Sequence, residues 1–319
     1  MNSFELAVEN LTSPPVLAFV LGAVAVLLKS DLRLPDPIHT WLSTYLLLAI
    51  GLKGGHSLKS TDIGDIALPA AATLALAVAI PVMVFFVART FLKRPTADAG
   101  SIAAHYGSVS VVTFTAATVF AAAANQDVEP FMTALVAVLE VPGILVALVL
   151  TSMMGTGTSW KTAVHEVLTG RSVLLLVGGI VIGAVGAEST FTKVEPLFVG
   201  LFTGLLTLFL LDMGATAASA LLANRVLDAR TVLFGLVTPL VLGILGVLLG
   251  TAAGLGVGGA GVFGAMAASA SYIAAPAATR LALPTAHPGL ALGVSLGVTF
   301  PLNLAIGIPV YFAIARGLA

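Results

Sequence analysis

The 319-residue chain has no cysteine and very little charge: 14 Lys and Arg and 15 Asp and Glu, 9% of its residues. Without cysteine there is no disulfide, no thiolate metal site and no cysteine nucleophile, and the redox compartment leaves no trace. The shortage of charge excludes more. Soluble domains carry roughly 25% charged residues, and 9% cannot cover the surface of a water-exposed particle of this length. A net charge of −1, with no extended basic cluster, excludes nucleic-acid binding. The start, Met1 to Asn10, is acidic and lacks the positive region of a secretory signal. The first apolar run is therefore expected to stay as a span. No polar tract is long enough for an extramembrane domain.

What the chain does have is apolar length: 58% hydrophobic residues and a mean hydropathy of +1.08. This predicts an integral membrane protein. A helix crossing about 30 Å of hydrocarbon needs about 20 apolar residues. Ten such spans are expected, near 15–29, 37–56, 63–92, 100–124, 130–154, 170–187, 194–222, 230–254, 258–283 and 288–316. The runs are too long and continuous for barrel strands, so the fold class is an all-α polytopic membrane protein. Orientation follows Lys and Arg. With the N-terminus outside, ten basic residues fall in cytoplasmic loops: Lys29, Arg33, Arg89, Lys93, Arg94, Lys161, Arg171, Arg225, Arg230 and Arg280. Four fall outside: Lys53, Lys59, Lys193 and Arg316. The expectation is a multi-pass protein of the cell's inner (plasma) membrane with both termini on the outer side. Glu5 and Glu9 also fall outside. Trp41, Tyr45 and Trp160 sit near span ends as interfacial anchors.

An internal repeat is visible. LLAIGLKGGHSL (47–58) resembles LLDMGATAASAL (210–221), GSVSVVTFTAAT (107–118) resembles ASASYIAAPAAT (268–279), and LEVPGILVALVL (139–150) resembles VTFPLNLAIGIP (298–309). The offset stays nearly constant at 163, 161 and 159 residues. It places Ser108 and Ser110 on Ser269 and Ser271, and Pro142 on Pro301. Ala-, Gly- and Val-rich helices also align by low complexity alone, which is the plainer alternative. The reading is two five-helix repeats, 1–156 and 157–319. Five spans is an odd number, so the second repeat is inverted, the pattern of alternating-access transporters.

In such folds the substrate lies near the midplane, where interrupted helices from each repeat meet. The fourth span carries Gly107, Ser108, Ser110 and Thr113, and the ninth carries Ser269, Ser271 and Pro276. Pro276 frees a backbone carbonyl or starts a half-helix. Tight packing of small residues is the competing explanation. Neither segment contains Lys or Arg, so a dianion would lack compensation. A small monoanion could be held by hydroxyls and by amides at half-helix N-termini. Glu140 and Asp212 lie within spans, where a carboxylate points to function. Oxygen ligands suit Na⁺, and Thr299 and Asn303 flank Pro301 as further oxygen donors. Five scattered histidines lack metal-ligand spacing; His105 is nearest the site and could relay protons or cap a helix end.

These residues resemble the SbtA-type sodium-dependent bicarbonate transporters. The resemblance rests on IGLKGG (50–55), GSVSVVT (107–113), EVPGILVA (140–147), ASASYI (268–273), the Thr279–Arg280 and Pro284 stretch, and TFPLNLAIGIP (299–309), in order over essentially the whole chain. It implies ten spans in two inverted repeats, with a scaffold, a moving core and elevator-type transport of bicarbonate with sodium. It also implies a homotrimer in the lipid bilayer and a PII-like regulator, SbtB, on the cytoplasmic face. Carried over by motif, bicarbonate falls at Gly107, Ser108, Ser110, Thr113, Ser269 and Ser271. Sodium falls at Glu140, Tyr272, Thr299 and Asn303. The chain departs from the family pattern at Val111–Val112, where the family has Gly-Ser, at Tyr272, often Asp, and at Glu140, often Asp. The expectation is sodium:bicarbonate symport, with no cofactor beyond Na⁺ as coupling ion and no transition metal. Transport of another small anion or cation/proton exchange keeps the fold and changes the cargo. A non-transporting sensor or scaffold is the reading from another class. An enzyme is disfavoured, because no Ser–His, paired-Asp or HExxH arrangement is present.

Overall fold

A computed structural model describes residues 8, 11–32, 34–59, 61–156, 165, 168–223 and 227–319. Arg33, Lys161, Arg225, Trp160, Glu5 and Glu9, used above, lie outside the described residues. All regular structure among the described residues is helical. In chain order the helices are α1 (Pro14–Leu27), α2 (Asp36–Leu58), α3 (Ile63–Thr90), α4 (Thr96–Gly107), α5 (Val111–Ala123) and α6 (Met132–Thr151). There follow α7 (Arg171–Val185), α8 (Glu188–Glu195), α9 (Phe202–Ala223), α10 (Ala229–Ala252), α11 (Val257–Ala267) and α12 (Ala274–Ala282). The chain ends with α13 (Pro288–Val294) and α14 (Ile308–Leu318). Widened π-turns at Pro196–Gly200, Ser295–Thr299 and Asn303–Gly307 carry α8 into α9 and α13 into α14.

Six of these helical runs are long and apolar enough to cross a membrane: Ile63–Thr90, Thr96–Ala123, Met132–Met154, Glu188–Leu222, Ala229–Ala252 and Gly289–Leu318. Ten spans were expected. The other four expected spans fall on helices that are shorter or more polar. At 1.5 Å per residue, the 14 residues of α1 reach about 21 Å, less than the about 30 Å of hydrocarbon. α7 and α11 are similarly short. α2 has 23 residues but carries Asp36, His39, Lys53 and His56. The outer faces are apolar: Leu17, Leu21, Leu74, Val78, Val181, Ile182, Leu233 and Val237 are all exposed. A soluble protein does not display so much exposed aliphatic surface, whereas lipid accommodates it.

Side chains pin the ends and bends of the helices. Asp62 accepts from the Gly64 amide at 2.8 Å, which starts α3. Asp228 accepts from the Thr231 amide at 2.9 Å and starts α10. Arg94, in the turn after α3, reaches Asp228 at 3.1 Å and the Thr231 hydroxyl at 2.8 Å. The turn after α3 is thereby joined to the start of α10.

Packing forms two groups. In one, α1 lies against α9 and α2 against α7, with glycine at the contacts. A Cβ added at Gly22 would overlap the Leu211 carbonyl, and one at Gly214 the Phe19 carbonyl. Gly55 and Gly183 meet the Ile180 and Leu52 carbonyls in the same way. Small residues let membrane helices approach this closely. Asp212 of α9 is buried in this group and is paired with His39 of α2 at 2.6 Å. The second group packs α3, α4 and α6 together and α10, α11 and α14 together, with α5 against α11.

Gly214→Ala should lower the apparent melting temperature of the detergent-solubilised protein, with an overpacking cost of about 1–3 kcal/mol. Gly204→Ala, on the same helix with nothing within 4 Å of the new methyl group, should cause no loss.

Candidate ligand site at two helix breaks

The fourth and ninth expected spans are both interrupted. The first break, Ser108–Val109–Ser110, separates α4 from α5, with Ser108 and Ser110 in extended conformation. The second occupies residues 268–273, between α11 and α12. Serine explains why the chain leaves the helix here, because its side chain competes for nearby backbone amides. Ser110 Oγ accepts from the Thr113 amide at 3.2 Å and caps α5. Ser271 Oγ accepts from the Ala274 and Ala275 amides at 3.3 and 3.5 Å. Pro276 follows in the first turn of α12, where its missing N–H is no loss.

Two breaks deep in a membrane protein expose backbone groups that must find partners. Here they find each other. The Ser271 amide donates to the carbonyls of His105 (2.7 Å) and Ser108 (3.0 Å), which α4 leaves free at its end. The Ser110 amide donates to Ser269 Oγ at 2.8 Å, and Ser269 Oγ donates to the Met266 carbonyl at 2.8 Å. Ser108, Ser110, Ser269 and Ser271 are all buried.

The crossing encloses a small cavity of about 10 Å³, lined by Leu47, Val109, Ser110, Val111, Glu140, Ser172, Ser271, Tyr272 and Ile273. That is about the volume one water needs. The N-terminal ends of α5 and α12 both face this cavity through Val111 and Ile273, and such ends carry partial positive charge. No Lys or Arg lines it. Glu140 is 2% exposed, and its Oε2 has no hydrogen-bond partner. The Tyr272 hydroxyl lies beside Ser110 without a hydrogen bond of ordinary geometry. Ser110 and Ser271 use their oxygens as acceptors in the caps, so each hydroxyl proton is available to an anion.

The expected residues divide accordingly. Ser110, Ser271, Glu140 and Tyr272 come together on the cavity wall. The Ser108 hydroxyl is buried without a partner at the same break. Ser269 is committed to the crossing as both donor and acceptor, and the Thr113 amide is taken by the Ser110 cap. Gly107 serves close packing: a Cβ there would meet the Gly143 carbonyl and Pro81, both at 2.9 Å. Thr299 and Asn303 are not on the cavity wall. Pro239 lacks an amide hydrogen and so frees the Gly235 carbonyl, and Thr299 donates to that carbonyl at 2.8 Å while accepting from Tyr106 at 2.5 Å. Asn303 donates to the Ala268 carbonyl at 2.8 Å and its Oδ1 meets the Tyr311 hydroxyl at 2.9 Å. His105 faces its own helix, with Nδ1 on the Ser101 carbonyl at 2.8 Å. Ser172 and Leu47 also line the cavity and carried no motif of their own. Only the match between 47–58 and 210–221 drew attention to the neighbourhood of Leu47.

The pattern of the Na⁺-dependent bicarbonate transporter superfamily matches residues 14–316. The chain belongs to this superfamily. No curated protein matches it. Membership makes the protein a sodium-dependent transporter and accounts for its apolar helices. Na⁺ as coupling ion fits the donors present: a buried carboxylate oxygen without a partner, beside hydroxyls. Among the described residues no group of three or more His, Cys, Asp and Glu could hold a metal ion.

Ser269→Ala removes a hydroxyl whose two hydrogen bonds are buried and should destabilise the solubilised protein by about 1–3 kcal/mol. Ser108→Ala removes a hydroxyl with no protein partner and should leave the melting temperature within error. Equal losses in the two variants would contradict these separate roles.

Proposed function

We propose that the protein imports bicarbonate together with sodium by moving the two crossed breaks, as one body, past a scaffold. The observation that carries this reading is the cavity between the breaks. Two helix N-termini and two spare serine protons face one buried carboxylate whose oxygen lacks a partner. The helix ends contribute roughly +0.5 charge each, which suits a monoanion. A dianion would be uncompensated without Lys or Arg. Bicarbonate is planar, small and rich in acceptors, and it is held by Ser110, Ser271 and Ser108 with the α5 and α12 amides. Na⁺ is held by Glu140, with the Tyr272 and Ser172 hydroxyls at hand. Thr299 and Asn303 brace the helices behind the breaks.

The cavity of about 10 Å³ is too small for bicarbonate, so binding requires the walls to part. Val109–Val111 and Ser271–Ile273 belong to the second packing group, as does Glu140, whereas Leu47 and Ser172 belong to the first. Separation along that boundary opens the cavity, and sliding along it exchanges the side to which the cavity opens. The first group (α1, α2, α7 and α9) is the scaffold and the second is the carrier. The broken fourth and ninth spans are equivalent parts of two inverted five-helix repeats in a ten-span fold. A homotrimer built on the scaffold, and an SbtB-like regulator at the cytoplasmic face, follow from the family resemblance.

The test is uptake of radiolabelled bicarbonate into proteoliposomes at fixed pH, with and without an inward Na⁺ gradient. Sodium-dependent uptake is expected. It should fall at least tenfold in Ser110→Ala and Ser271→Ala, each losing an anion donor worth about 1.5–3 kcal/mol. Glu140→Gln should raise the sodium concentration needed for half-maximal uptake. No uptake by folded protein would remove bicarbonate as the cargo.

A further inference from the structure

A second cavity, of about 470 Å³, lies between α2, α5 and α9. Its floor is close to the ligand cavity. On α5 it is lined by Phe114, Thr115 and Thr118, and one turn deeper Val111 lines the ligand cavity. On α2 it is lined by Ile50, and one turn deeper Leu47 lines the ligand cavity. Phe114 and Ile50, both buried, therefore stand between the two spaces.

The larger space is a polar crevice. Lys53 is the single basic side chain on its wall. It is exposed and forms no ion pair among the described residues. Two acids also line the crevice. Glu129 is committed to the Gly256 amide at 2.6 Å, at the start of α11. Asp127 stands on the loop after α5 and is exposed. Lys53 lies one turn above Ile50, so its positive charge sits nearer the floor of the crevice, while both acids stand on the loop beyond the outer end of α5. An ammonium deep in a cleft with low-dielectric walls raises the concentration of anions in its immediate surroundings.

We infer that this crevice is a loading vestibule for a small monovalent anion, and that Lys53 draws the anion into it before the anion reaches the cavity between the breaks. The identity of the anion rests on the proposed function above; the vestibule and its charge do not. The absence of cysteine gives a direct readout. Thr118→Cys places one thiol in the vestibule of the full-length protein in liposomes. Its rate of modification is measured with two methanethiosulfonates, one bearing a sulfonate and one a trimethylammonium. Both reagents should react, and Lys53→Gln should lower the ratio of the sulfonate rate to the trimethylammonium rate about threefold to tenfold. Lys53→Arg should keep the ratio, and raised salt should shrink the difference. A thiol that reacts only after denaturation would overturn the vestibule. A ratio unchanged by Lys53→Gln would overturn the role of Lys53. In uptake assays Lys53→Gln should raise the half-saturating bicarbonate concentration by a similar factor, with the deficit overcome by more anion. If wild-type protein does not carry bicarbonate, the labelling ratio still decides the vestibule, and only the cargo assignment falls.

Discussion

Every backbone amide and carbonyl within hydrocarbon must have a partner, and the architecture turns on how two interrupted helices meet that demand. A helix that stops midway leaves donors at one end and acceptors at the other. Each break supplies what the other lacks. The Ser271 amide takes the carbonyls left by α4, and Ser269 takes the Ser110 amide. The pairing holds two half-helix N-termini side by side without any charged residue. The cavity beside the crossing is small, and its wall carries two helix N-termini and the Glu140 carboxylate with no Lys or Arg.

Around this crossing the helices fall into two groups with different contacts. Glycine-to-carbonyl contacts such as Gly22 on Leu211 and Gly55 on Ile180 lock α1 to α9 and α2 to α7. The second group is tied by side-chain bonds: Thr299 on the carbonyl freed by Pro239, Asn303 on Ala268, and Arg94 on Asp228. Each group is braced internally, and the small cavity beside the crossing lies on the boundary between them.

The Ser-x-Ser pairs and Glu140 could be read from the sequence because the chemistry is local. A serine before a short helix is a cap whatever surrounds it, and a carboxylate within an apolar run is costly wherever the run packs. Thr299 and Asn303 have the same donor atoms but a different fate. Each is claimed by a carbonyl distant in sequence, and no local pattern reveals that Pro239 leaves the Gly235 carbonyl open. Ser172 was invisible, and Leu47 stood only at the edge of a repeat match, for the converse reason: they are ordinary residues that packing brings to the cavity wall.

By itself the sequence determined that the protein is helical and membrane-embedded, that it lacks thiol chemistry, and that paired small hydroxyl segments recur along it. Composition and short-range pattern are enough for these, because solvation and helix capping act over a few residues. Only the tertiary structure decided which hydroxyls are spent on holding the breaks together, that Glu140 shares a cavity wall with Ser110 and Ser271, and that Lys53 lines the larger crevice with no ion pair among the described residues. Those assignments depend on which donor meets which acceptor across the fold, and such pairing exists only once the helices are packed.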